Sequence, residues 1–138
     1  MANEFALNIQ DASLNPATLA LPNAASTTVT GAAIDFGADT VKPSNVEIDV
    51  AVPALSDTIL PSTRTMTVIV ETSTTSVFTA VAREIYRKVL TGAGSGSGAT
   101  IHRCRLASDN ERYVRLKITS GASTTDASAV AATLTLRF

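Results

Sequence analysis

The chain has 138 residues, of which 45% are hydrophobic, 17% charged and 4% aromatic, with no Trp, and its net charge is −1. That length suits one domain around one core, and so even a charge balance gives no reason to expect affinity for nucleic acid or for a membrane. A single cysteine, Cys104, excludes an internal disulfide framework, and no apolar run approaches the roughly 18 residues of a membrane span.

Charge is unevenly placed along the chain. Residues 1–75 hold eight acids (Glu4, Asp11, Asp35, Asp39, Glu47, Asp49, Asp57 and Glu71) against two bases (Lys42 and Arg64), and residues 76–138 hold nine bases against four acids. Either the two halves fold face to face and neutralise each other, or the folded surface is polarised and docks on a charged partner.

Residues 1–26 show no clean period. Leu7, Ile9, Leu14, Leu19 and Leu21 are scattered among small and polar residues, and Pro16 and Pro22 remove backbone donors and favour extended neighbours. This stretch reads as an extended arm with apolar anchors, or else as the first edge strand of the body that follows. The start of the chain, Met1 to Phe5, lacks the basic and apolar blocks of a secretory signal. The expected setting is therefore the cytoplasm, or release from it by lysis.

Strand signals become regular from Thr27. Residues 27–36 form one candidate strand, ending at the Gly37-Ala38-Asp39 turn. The clearest is 46–52, where Val46, Ile48, Val50 and Val52 alternate with Glu47, Asp49 and Ala51, so that one face is buried and one is wet. A loop holding Asp57 and Pro61 leads to a strand at 65–71, with Met66, Val68 and Val70 on one face. In 81–90, Val81, Ile85 and Val89 recur at a four-residue spacing, with Tyr86 and Leu90 extending the stripe. Taken alone this predicts a short amphipathic helix, set in an otherwise all-strand chain. Gly92, Gly94, Gly96 and Gly98 predict a flexible loop. Strands follow at 101–106, 112–119 and 129–138. The sum is an all-β, mostly antiparallel sandwich over 27–138 with an N-terminal arm over 1–26.

Few residues could carry chemistry. His102 and Cys104 share one strand face with no further His or Cys to close a zinc site. No G-x-S-x-G elbow occurs. The Gly92–Gly98 run leads into a strand and lacks the Lys of a phosphate loop. Asp35, Asp39, Asp57 and Asp109 are spaced as turn formers, without the ligand pattern of a calcium loop. No catalytic, cofactor or metal residue is assigned.

If 101–106 and 112–118 form a hairpin, His102 and Cys104 face inward opposite Leu116 and Val114. The outer face then sets Arg103 opposite Arg115, Arg105 opposite Tyr113 and Ile101 opposite Lys117. Directly opposed like charges are destabilising, so an acidic neighbour is expected: either Glu47 and Asp49 of this chain or an acidic patch on a partner. With only Tyr113 to offer a stacking ring, a nucleic-acid groove is not expected.

The run from Glu111 through Arg112-Tyr113-Val114-Arg115-Leu116 to Thr119, a small-residue loop, and Val130-Ala131-Ala132-Thr133-Leu134-Thr135-Leu136 resemble the C-terminal end of phage capsid cement (decoration) proteins of the β-sandwich, jelly-roll-like type. Ile34-Asp35-Phe36-Gly37 and Val68-Ile69-Val70-Glu71-Thr72-Ser73 resemble upstream strands of the same family, so the likeness spans about 34–138. It implies a non-enzymatic virion protein without cofactors. Such a protein binds the major capsid protein on the outer head surface and bridges neighbouring capsomers as a dimer or trimer, after assembly in the host cytoplasm. The interaction residues it suggests are Phe5, Leu7, Ile9 and Leu14 of the arm, the Gly92–Gly98 loop, and Arg103, Arg105, Tyr113 and Arg115 of a basic face. A head–tail connector or tail module, and a carbohydrate- or surface-binding sandwich, are the alternatives.

Overall fold

The computed structural model describes residues 17–36, 46–79, 82–107, 109–122 and 125–137, and within them the chain is all β. In chain order the strands are β1 (Ala17–Ala20), β2 (Thr28–Thr30), β3 (Ile34–Asp35), β4 (Glu47–Val52), β5 (Thr65–Ser73), β6 (Arg83–Thr91), β7 (Thr100–Arg105), β8 (Tyr113–Ser120) and β9 (Ala131–Arg137). They form two antiparallel sheets, one ordered β1-β9-β4-β7 and the other β2-β8-β5-β6, with β3 beside β2 on β8.

Read as pairs, first meets last. β1 pairs with β9, β2 and β3 with β8, β4 with β7, and β5 with β6. A long folded-back ribbon of this kind closes when β9 also meets β4 and β8 also meets β5. That is the jelly-roll arrangement of a β-sandwich.

Alternation builds the core between the sheets. Ile48, Val50 and Val52 of β4 and Ala132, Leu134 and Leu136 of β9 point inward from one sheet. Met66, Val68 and Val70 of β5 and Val114, Leu116 and Ile118 of β8 meet them from the other, and none of these twelve is more than 2% exposed. Apart from the small Ala132, burying each of these side chains contributes on the order of 1.5–3 kcal/mol.

Sequence expectations change first at two strands. Of the stretch expected as helix, the residues from Arg83 onward are strand, within Arg83–Thr91, and Val81 lies outside the described residues. β6 lies at the edge of its sheet and is exposed on much of both faces, so alternation is erased, and a register shift opposite Val70 and Glu71 interrupts it further. The body also begins before Thr27: β1 lies within the expected arm, and Leu19 and Leu21 are part of the core.

The glycine-rich loop is pinned rather than free. Leu55 and Ser97 exchange backbone hydrogen bonds of 2.8 Å, and the Gly92 N–H donates to the Arg64 carbonyl at 2.8 Å. Two glycines are required by space. A Cβ on Gly92 would strike the carbonyls of Leu60 and Pro61; one on Gly96 would strike that of Leu55, and Gly96 has φ of 85°. Gly94 has open space around it. Gly96→Ala is therefore expected to cost well over about 1 kcal/mol, whereas Gly94→Ala shifts stability by about 1 kcal/mol or less. Urea unfolding of the two variants checks this.

Candidate interaction surfaces

The side chains that point away from the core form two outer faces. On the β1-β9-β4-β7 sheet, strand register sets them in rows. Ala51 lies between Thr133 and Ile101, Asp49 between Thr135 and Arg103, and Glu47 between Arg137 and Arg105. One half of this face is thus small and uncharged, with Ile101 standing 71% exposed at its edge, and the other half is ionic.

At the centre of the ionic half sits Asp49, whose side chain is only 7% exposed. Arg103 donates from Nε at 2.7 Å and from Nη2 at 3.2 Å, and Arg137 reaches the second carboxylate oxygen with Nε at 2.6 Å. The hydrogen bond from Arg103, followed in effect by the charges of Arg137 and Arg103, holds the carboxyl below its ordinary value against the opposing cost of burial.

The opposite face repeats the device. Glu71, with its side chain 3% exposed, takes Arg115 at 2.5 Å and Lys117 at 3.2 Å. Phe78, from the β5–β6 connection, lies over Arg115 with the guanidinium carbon 4.0 Å from the ring centroid. Nearby, Asp35 and Arg112 form a two-bond pair with both distances 2.7 Å. In all three clusters an acid of the first half of the chain meets bases of the second, which is the face-to-face neutralisation offered by the charge pattern.

The hairpin expected between 101–106 and 112–118 does not form. β7 pairs with β4, and β8 belongs to the other sheet. The basic face is therefore split: Arg103 and Arg105 project from one outer face, Tyr113 and Arg115 from the opposite one. The acidic neighbours expected for Arg103 are those named within this chain, Asp49 and, at 3.9 Å, Glu47. His102 and Cys104 do face inward, but opposite Val50 and Ile48. His102 lies 5.9 Å from the Tyr86 ring, and burial, with Lys88 nearby, lowers its pKa. Burial, with Asp49 nearby, raises the Cys104 thiol, which disfavours the nucleophilic thiolate. Among the described residues, no three His, Cys, Asp or Glu side chains are grouped to hold a metal ion. Phe5, Leu7, Ile9 and Leu14 lie outside the described residues.

Sequence reasoning missed Arg137, Glu71 and Phe78 as parts of these faces; it set Lys117 on an outer face, though opposite Ile101 rather than beside Glu71. The parity of Thr133, Thr135 and Arg137 against Leu134 and Leu136 carried the signal for the first. Neither a protein-family model nor a curated protein matches this sequence.

Asp49→Asn leaves two arginines without their shared charge. Because Arg103 and Arg137 are about half exposed, the expected loss is about 1–2 kcal/mol at pH 7, below the range for a fully buried pair. The folded pKa of Asp49 lies under the ordinary 3.8, so its contribution is present above that value and is lost as pH falls through the folded pKa. The stability gap between wild type and Asp49→Asn should stay constant above about pH 5 and narrow below 3.8. Chemical denaturation across this range measures it.

Proposed function

We propose that this protein is a structural bridge of a virion: a cement protein that binds the major shell protein on the outside of a tailed-phage head and ties neighbouring capsomers together. The observation that carries this reading is the placement of Arg103 and Arg105 on one outer face and Tyr113 and Arg115 on the other. One closed body can then touch two neighbours at once. The resemblance of the segments around Arg112–Thr119 and Val130–Leu136 to cement proteins supports the same role; a jelly roll alone would not, since the fold hosts many functions.

The mechanism needs no reaction chemistry. A core built across two hydrogen-bonded sheets resists bending, and salt-bridged faces present fixed rather than trailing charges. Each contact is modest, because exposed ion pairs are worth on the order of 1 kcal/mol or less. Hundreds of identical copies on one shell sum such contacts, and a body held at two points gains further through effective concentration.

Mass analysis of purified particles tests the role. The account expects this chain in hundreds of copies per particle. Six or twelve copies would instead identify a connector or tail module, and absence from particles would favour a surface-binding domain. On isolated shells, Arg105→Glu and Tyr113→Ala, one on each face, are each expected to weaken binding at least about tenfold, roughly 1.4 kcal/mol, with the fold intact. Unchanged binding by both variants would contradict a two-faced bridge.

A further inference from the structure

Along one side of the sandwich β6, the edge of one sheet, lies beside β7, the edge of the other, and no strand pairing joins them. Side chains close this seam. Register places Thr100, His102 and Cys104 of β7 opposite the inward residues Val52, Val50 and Ile48 of β4. It places Tyr86, Lys88 and Leu90 of β6 opposite Val70, Val68 and Met66 of β5, which also point inward. The two rows therefore look toward each other, and the rings of Tyr86 and His102 meet with centroids 5.9 Å apart and planes tilted by 34°. Where the central strands fill the space between the sheets with aliphatic side chains, this seam is largely polar.

The polar row is incompletely satisfied. His102 Nε2 and Thr100 Oγ1 are buried and have no hydrogen-bond partner. Buried polar atoms without partners are rare, and each is costly. A neutral imidazole limits that cost, because an unprotonated Nε2 carries only a lone pair. Protonation changes the demand. Both ring nitrogens of an imidazolium donate, so Nε2 would become a buried cationic donor with no acceptor in place.

The surroundings offer the extra charge no counterion. Tyr86 and Lys88 face His102 from β6, and Cys104 faces it from its own strand; β4 and β5 turn no charged side chain inward. Lys88 carries the like charge. Asp49 of β4 lies on the outer side, engaged with Arg103 and Arg137. Because β6 is an edge strand, paired only with β5, it can yield without breaking the order of either sheet.

We propose that this seam is an acid-released latch: protonation of His102 parts β6 from β7 and uncovers Tyr86 and Cys104, while the pairing within each sheet is kept. Burial, and then the charge of Lys88, hold the His102 pKa below its ordinary 6.5 in the closed seam. The closed seam is therefore fully stable above that value and weakens as pH falls from 6.5 toward the folded pKa. His102 is the chain's only histidine, and histidine is the side chain whose ordinary pKa lies in this mildly acidic range. No shell partner is required, since the latch acts within the isolated protein.

The single thiol of the native chain reports on the seam. Cys104 is labelled with a dipyridyl disulfide, and each rate is divided by that of the urea-unfolded chain at the same pH. With a pKa of 6.5 in the open seam, acidification from about pH 7 to about pH 5 raises the open population by at most about 25-fold, and an acceleration of at least about threefold is expected. His102→Gln and His102→Phe, both neutral at every pH, should each abolish it, and Lys88→Gln, which removes the like charge, should reduce it. Far-UV circular dichroism should remain that of a β protein throughout. Undiminished acceleration in both His102 variants, a flat ratio in the wild type, or loss of the β signal on acidification would each overturn the latch.

Discussion

The pairing of β7 with β4, from Glu47 opposite Arg105 to Val52 opposite Thr100, is the constraint from which the rest follows. It removes β7 from its sequence neighbour β8 and assigns the two strands to different sheets. It brings Arg103 to Asp49, turns His102 and Cys104 toward Val50 and Ile48, and divides the cationic residues of the C-terminal half between two opposed surfaces. A local hairpin would have gathered them on one surface beside one another, with like charges opposed across the strands.

The same topology explains why acidic residues sit so deep. Asp49 and Glu71 are central on their outer faces, flanked on both sides by paired strands, and each is nearly covered by the long side chains of its cationic neighbours. Taking a carboxylate out of water is costly unless it is paired and hydrogen-bonded. Two cations per carboxylate meet that condition here, and because the pairs join β4 to β7 and β9, and β5 to β8, they favour this strand order over alternatives. Charge segregation along the sequence is thus a record of which strands are meant to meet.

Much of the fold was legible because central strands are buried on one face and wet on the other. In 112–119 and 129–137 the buried parity in the sequence is the buried parity in the structure; in 46–52 and 65–71 the inward parity holds as well, and Asp49, Ile69 and Glu71 are covered in addition on the outer parity. The failures come from edges and connectivity. β6 carries Lys88 on its inner parity and exposes Val89 on its outer one, so no period of two survives and the four-residue spacing of Val81, Ile85 and Val89 mimics a helix. β1 is four residues long, too short to show a period. Sequential strands often pair, yet among the described strands only β5 and β6 do so as immediate neighbours, so the expected hairpin gave the right facing for His102 but the wrong partners.

A body with two opposed, ion-paired faces and a core shared evenly by both sheets is suited to holding neighbours at a fixed separation. That suitability depends on the two faces being on opposite sides, and hence on the β4–β7 pairing. Disulfide trapping in the Cys104→Ser chain reads it directly. Opposed residues on adjacent antiparallel strands lie about 4.5–5.5 Å apart at Cα, within disulfide reach. The account predicts that Ala51→Cys with Ile101→Cys forms an internal disulfide in the native protein, while Ile101→Cys with Lys117→Cys does not. Efficient closure of the 101–117 pair, with the 51–101 pair left reduced, would contradict it.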